Sequence, residues 1–357
     1  MVILDFSKAF DTVPHRKLLH KIKNYGIDGK INVWIENFLV NRKQRVLVDG
    51  EFSSFGDVLS GVPQGTVLGP LLFLLHINDL PSHVKSQIRL FADDCLLYRK
   101  IRNETDQQQV QQDLIALEAW ASTWGMKFNA TKCYVMHIHR KKQPYTKFYQ
   151  LNGHILQQVT ETPYLGLTIR DDLQWSSHIN KICTKANSTL GFIRRNLKHC
   201  HSKFKETAYI ALVRSLLEYS CSVWDPYLEK DIEKLEKVQR NAARFIKNDY
   251  TRKSSVTSMM KDMNWKPLHQ RRRETRLILF YKIVNNLVAI PPENHITENK
   301  RNLRNTHNKQ YLHKKVNIEP YKNSFFPRTI LDWNSLTKKE VDCQSLGQFK
   351  AVLQQTN

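Results

Sequence analysis

The chain has 357 residues, 41% of them hydrophobic, which is enough for about two domains with a sizeable core. Its 55 Lys and Arg against 33 Asp and Glu give a net charge of +22, which points to a polyanionic partner, nucleic acid before membrane. No apolar stretch reaches the roughly 18 residues of a membrane span, MVILDF lacks the basic region of a cleavable signal peptide, and the six cysteines are scattered without CxxC pairing, so a membrane protein and a disulfide scaffold are excluded and a reduced, intracellular chain is expected.

The charge is uneven. Residues 1–100 carry 13 basic and 10 acidic side chains, the remainder 42 and 23, so a nucleic-acid grip is expected mostly beyond residue 100. VILDF reads as a short apolar strand that begins at the first residue, which leads us to expect a covering segment upstream. PHRKLLHKIKNYG (14–26) has a helix profile, with Pro14 in the first turn and Gly26 as its stop. Ile31, Trp34, Ile35, Phe38 and Leu39 share one helical face. RVLVDGEFSSF predicts a hairpin over Asp49-Gly50. SGVPQGTVLGPLLFLLHINDLP (60–81) is a Gly/Pro-rich turn leading into an apolar helix, with Asn78 and Asp79 as helix-end caps. QIRLFA and CLLYRK are two strands that meet at Asp93-Asp94, and 104–124 is a helix with Val110, Leu114, Leu117, Ala121 and Trp124 inward. A hairpin over Asn152-Gly153 (148–159) and a strand YLGLTI (164–169) follow. Beyond about residue 175 the periodicity is helical, over 176–198, 203–223 and 229–248. Residues 296–322 are polar and basic and read as loop, and a last short helix is expected near 345–354.

The apolar run RLFADDCLLY (89–98) encloses two adjacent aspartates. Ionised carboxylates are rarely buried, and two side by side repel one another. Asp5 ends the first strand, so if the strands are neighbours, three carboxylates converge on one sheet edge. Hard divalent cations are the natural counter-charge, and two such ions can hold the attacking and leaving oxygens of a phosphoryl transfer. A DD hairpin turn is also ordinary turn chemistry, and FADD by itself does not separate the two readings. His137 with His139, and His199-Cys200-His201, lack a second pair at zinc spacing.

LDFSKAFDTV (4–13), SGVPQGTVLGPLLFLLHINDLP (60–81), FADD (91–94), WGMKFNATKC (124–133) and YLGLTI (164–169) come in the order and rough spacing of the palm motifs of reverse transcriptases. Their wording resembles the non-LTR (LINE-type, jockey-like) retrotransposon branch; retroviral enzymes usually carry Met or Val where Ala92 stands. The resemblance covers residues 1 to about 170, and LEKVQRNAARFI (235–246) is similar to the helical region that follows the palm. It implies an α+β fold: a right-hand polymerase palm (1–170), a mixed sheet with helices on one face, followed by an all-helical thumb-like basic domain (171–290) and a basic, partly irregular segment (291–357).

The resemblance implies RNA-directed DNA synthesis from an RNA template, a DNA primer and deoxynucleotide triphosphates. Two Mg²⁺ ions, for which Mn²⁺ can substitute, would be ligated by Asp5 and Asp93, with Asp94 as a supporting carboxylate of the same metal site. Phe10 would gate against a 2′-OH, Gln64 would contact nucleotide and template, and Gly61 and Gly65 would permit close backbone approach. Lys132 would protonate the leaving pyrophosphate or stabilise its charge, and Tyr164, Leu165 and Gly166 would form the primer grip. Asp11 reads as a cap or as support for the site. Arg194, Arg195, Lys198, Arg240, Arg244, Lys247, Arg271, Arg272, Arg273 and Arg276 would grip the duplex backbone. Trp224, Tyr227, Phe245 and Trp265 fit core positions better than base-stacking ones. The resemblance also implies fingers and an endonuclease upstream of Asp5. Without them, the rival reading is a catalytically silent remnant that still binds nucleic acid.

Overall fold

The computed structural model describes residues 1–139, 147–299, 307–313 and 315–355. The polar stretch expected as loop therefore lies partly outside the described residues. The chain divides into two compact units, Met1–Asp172 and Leu173–Asn357.

The first unit is organised by a five-stranded sheet built from β1 (Val2–Asp5), β2 (Gln87–Phe91), β3 (Asp94–Tyr98), β4 (Tyr134–Val135) and β5 (Gln157–Gln158), in the spatial order β5-β4-β1-β3-β2. Only the β5–β4 pair is parallel, so the sheet is mixed. The first strand lies at its centre. Its register against β3 pairs Val2 with Leu97, Leu4 with Cys95 and Asp5 with Asp94. Alternation along the strands then sorts the faces. Val2, Leu4, Cys95 and Leu97 are buried in the core, whereas Asp5 and Asp94 point to the opposite face. Each large aliphatic side chain so buried contributes about 1.5–3 kcal/mol.

Helices α1 (His15–Asn24), α2 (Gly29–Leu39), α3 (Leu68–Ile77) and α4 (Glu104–Trp124) supply the rest of that core through Leu18, Ile22, Ile35, Leu72, Phe73, Leu114 and Leu117. The α2 stripe is only partly covered: Ile35 and Leu39 are buried, but Ile31 and Trp34 are exposed and Asn32 is buried in their place. Asp79 makes no capping hydrogen bond. Its carboxylate accepts instead from the buried Lys21 ammonium at 2.5 Å and from Trp120 Nε1 at 3.3 Å. Lys21 also donates to the His76 carbonyl and lies 3.8 Å from the Trp124 ring centroid. A buried cation is tolerated here because a carboxylate, a carbonyl and an aromatic face replace its water.

The Asp49-Gly50 and Asn152-Gly153 hairpins form as expected, with both turn residues at positive φ in each. YLGLTI is not one strand. Glu161–Tyr164 pairs with Leu167–Arg170 across a two-residue turn in which Leu165 (φ 47°) and Gly166 (φ 78°) are left-handed.

The second unit is helical. Its α5 (Ser176–Asn196) and α6 (Glu229–Lys247) run parallel, joined by Ser176 Oγ to Asp231 at 2.5 Å and by Lys234 Nζ to Asn180 Oδ1 at 2.7 Å. The expected helix 203–223 is broken: Ser202–Ala208 passes into a π-helical stretch, Tyr209–Arg214, and Ser220 turns left-handed. Next comes α7 (Leu268–Val284), which begins at Pro267 with no side-chain cap. Glu236 of α6 takes that role, accepting from the Leu268 and His269 amides at 3.2 and 2.8 Å. Residues beyond 291, read separately from sequence, share a core with α7: Leu277, Phe280 and Tyr281 pack with Ile330 and Trp333 of α8 (Phe325–Asn334) and with Phe349 and Leu353 of α9 (Leu346–Gln355). Among the described residues, no helix is long and apolar enough to cross a membrane.

Candidate active site

Asp5 stands at the C-terminal end of the central strand, directly opposite Asp94 at the start of its neighbour. The carboxylates therefore lie at one end of the middle strands and not at a lateral edge of the sheet. Asp93 occupies the two-residue turn closed by the Phe91–Asp94 pair, and Ala92 beside it is held left-handed at φ 50°. A non-glycine residue there carries strain of about 1–3 kcal/mol, a pattern that clusters at functional sites.

The backbone of Asp5 is fixed from the other side by WGMKFNATKC. Its carbonyl accepts from the Asn129 amide at 2.8 Å, and its amide donates to Cys133 Sγ at 3.4 Å. This clamp carries Lys132 close enough to Asp5 to lower its carboxyl pKa. Burial acts more strongly in the other direction, with repulsion from Asp93 added, so the Asp5 carboxyl sits above the usual carboxylate range. Burial likewise raises Asp94, with Asp93 and Asp5 both adding to it. The phenol of Tyr164, in the 161–170 hairpin, is raised by burial and then by the charge of Asp94. Asp5, Asp93, Asp94, Lys132 and Tyr164 are thus electrostatically coupled.

Among the described residues, no three His, Cys, Asp or Glu side chains are gathered into a cage that could already hold a metal ion. The donor set still suits a hard divalent cation: three carboxylates in mutual repulsion, two of them with raised pKa. In metal-free buffer these raised pKa values mean that the folded state holds its protons more tightly than the unfolded chain does. That contribution is present at low pH and is lost as pH rises from the ordinary carboxylate range through the raised values. Asp94→Asn is therefore expected to raise the melting temperature at about pH 7 in chelator and to raise it less at about pH 4. An unchanged melting temperature at the higher pH would contradict this origin of the shift.

The PQG turn docks on the short helix Ala9–Thr12. Val62 and Gly61 amides donate to the Phe10 and Val13 carbonyls at 2.8 Å, and Ser60 Oγ to the Asp11 carbonyl at 2.8 Å. Gln64 Nε2 donates to the Asp11 carboxylate at 3.0 Å, so Asp11 holds Gln64 and caps nothing. Gly61 has φ +88°, and a Cβ there would meet Asp11 backbone atoms at 2.7–2.9 Å. Gly65 needs only its positive φ, since a Cβ would meet nothing within 4 Å. Gly61→Ala is expected to destabilise the first unit by about 2–4 kcal/mol in urea unfolding, and Gly65→Ala by less. Equal losses would refute the close-approach argument.

A cleft of ≈ 580 Å³ opens beside this turn, lined by Lys8, Asp11, Arg42, Ser60, Gly61 and Gln64 among others. Phe10 is half-buried and stacks on Phe73 with ring centroids 4.5 Å apart, so packing fixes its orientation. A larger cavity of ≈ 630 Å³ lies at the other end of β1, near Met1 and Leu97, away from the carboxylates.

The basic residues of the second unit sort differently from expectation. Most are engaged internally. Arg240 pairs with Glu233, Lys247 with Asp262, Arg271 with Glu218, and Arg273 with Asp332. Arg272 and Arg276 are buried on Asp225, and Arg244 donates to the carbonyls of Asp249 and Thr251. Of the aromatic candidates, Trp224, Phe245 and Trp265 are core residues.

Comparison with known proteins bears on residues 1–169, which match the family model described as reverse transcriptase (RNA-dependent DNA polymerase). The chain is 27% identical over 74% of its length to the probable RNA-directed DNA polymerase from transposon BS of Drosophila melanogaster, of which it covers 30%. It is 32% identical over 50% of its length to the RNA-directed DNA polymerase from mobile element jockey of the same organism, of which it covers 20%. The chain thus spans less than a third of these relatives. Among solved structures, apo telomerase from Candida tropicalis aligns over 73% of this chain and 43% of its own, with 13% identity and a TM-score of 0.40. Residues 1–169 thus match the reverse transcriptase family model, and the chain is similar to the RNA-directed DNA polymerases of jockey-like mobile elements.

Proposed function

We propose that this chain extends a DNA primer on an RNA template from deoxynucleotide triphosphates, with Asp5, Asp93 and Asp94 as the metal-holding carboxylates. The observation that carries this is the Asp5–Asp94 register pair at the ends of the two middle strands, with Asp93 in the adjoining turn. These three side chains would hold two Mg²⁺ ions, or Mn²⁺ in their place, and the bound ions supply positive charge to the attacking and leaving oxygens. In the reaction the primer 3′ oxygen bonds to the α-phosphorus and the bond to pyrophosphate breaks. Lys132 would give a proton to, or neutralise, the leaving pyrophosphate. Tyr164, Leu165 and Gly166 would seat the primer end, since the Tyr164 phenol already feels the charge of Asp94. Gln64, held by Asp11, would meet the nucleotide and template, and Phe10 would lie under the sugar. The upstream regions of the full element, fingers and endonuclease, would act beside this chain, inside the cell.

The test is extension by the purified chain of a DNA primer annealed to RNA, with four deoxynucleotides and Mg²⁺. Template-dependent extension is expected. Its absence, with duplex binding retained, would make the chain a binding remnant. Phe10→Ala is expected to admit ribonucleotides at least about tenfold more readily, because a filled ring face is what excludes the 2′-OH. Unchanged sugar discrimination would remove Phe10 from this role.

A further inference from the structure

Once the internally paired arginines are set aside, one end of the helical unit keeps its positive charge exposed. The C-terminal ends of α5 and α6 arrive there together because the two helices are parallel. Arg194 lies 5.5 Å from the ring centroid of Tyr250, just past α6, while the buried Lys205, in the helix after α5, lies 5.1 Å from the core Phe245 and ties the two helix ends together. Arg194, Arg195 and Lys198 are exposed at this end, with Arg252 and Lys253 following Tyr250, whereas Lys203 faces Glu206 at 3.8 Å. Basic side chains in a last helical turn also complement the helix dipole, which accounts for Arg194 and Arg195 alone. The dipole does not account for the aromatic rings among them. Phe192 is 57% exposed, Phe204 68% and Tyr250 51%. Apolar rings of this size, left in water on segments that also carry exposed cations, match the composition of surfaces on which bases stack while the backbone follows the charges. A duplex offers such a surface its phosphates but hides its base faces.

We propose that this end of the helical unit is a docking surface for unpaired RNA, with Phe192 and Phe204 as stacking platforms and Arg195 and Lys198 as phosphate contacts. The choice of RNA over DNA rests on the template reading above; the choice of an unpaired strand rests on the exposed rings.

The test is fluorescence anisotropy of the full chain with a single-stranded RNA and with a blunt RNA–DNA duplex of equal length. Phe192→Ala/Phe204→Ala is expected to weaken single-strand binding by about tenfold or more and duplex binding by less than about twofold. Arg195→Gln/Lys198→Gln is expected to weaken both and to flatten the dependence of affinity on salt. All four positions are exposed, so both variants should keep the wild-type unfolding midpoint. Equal losses on the two ligands from the aromatic pair, or none on either, would overturn the proposal, as would single-stranded DNA bound as tightly as the RNA. Primer extension by the wild-type chain on a pre-annealed duplex keeps this outcome separate from the palm: failure of extension while the wild-type chain still shows the selective single-strand binding counts against the polymerase reading alone.

Discussion

Asp93→Asn is expected to lower Mg²⁺-dependent primer extension by about 10³-fold or more while leaving affinity for the template–primer duplex intact or tighter. The effect is large because the carboxylate would hold the ion that meets developing charge in the transition state. It leaves binding intact because Asp93 sits in a turn at the strand ends, outside the core. Removing a negative charge beside a phosphate backbone also relieves repulsion, which gives the tighter alternative its direction. Extension by the variant at wild-type rate would remove Asp93 from the chemistry.

Asp225→Ala is expected to cost the helical unit about 3–5 kcal/mol, read by urea unfolding of the full chain. Asp225 is buried, and three arginines converge on it: Arg272 Nε at 2.7 Å, Arg276 Nε at 2.9 Å and Arg328 Nη1 at 3.3 Å. Arg276 has a second partner in Asp332 at 2.8 Å. Arg272 has none to spare, since its Nη1 and Nη2 are buried without hydrogen-bond partners. Truncating Asp225 would leave like charges facing one another away from water. Asp225→Asn keeps an acceptor oxygen and is expected to fall between wild type and Ala. A loss below about 1 kcal/mol in Asp225→Ala would mean that the cluster is open to solvent.

The parts of this molecule governed by local rules could be read from its sequence. The alternation of VILDF and of the strands around FADD set which side chains enter the core, and the register follows the pleat. Asn103 before Glu104 and Gly125 after Trp124 bracket α4: the first accepts from the Asp106 amide, and the second turns left-handed. Asp49-Gly50 and Asn152-Gly153 specify their hairpins because both positions tolerate positive φ.

What depends on distant partners could not be read in this way. Nothing local marks Arg272 as a core residue, because Asp225 lies 47 positions away. Leu165 hid the second hairpin, since a leucine at positive φ contradicts its own preference and is held there by the strands on either side. Asp79 has the look of a cap, and its service to Lys21 and Trp120 emerges only when three helices meet. In the site, spacing alone suggested a carboxylate cluster. The coupling of Lys132 and Tyr164 to it required the 127–133 clamp and the folded 161–170 hairpin. Exposed Phe192 and Phe204 carried no signal at all, because an apolar residue on a helix reads as core until its neighbours are known.

The carboxylate account is tested most directly by Mn²⁺ binding to the full chain, followed calorimetrically without any substrate. It predicts saturable binding that weakens by about tenfold or more in Asp5→Asn and in Asp94→Asn, and that is unchanged in Asp11→Asn, whose carboxylate serves Gln64. Mn²⁺ affinity equal in wild type and Asp5→Asn would contradict it.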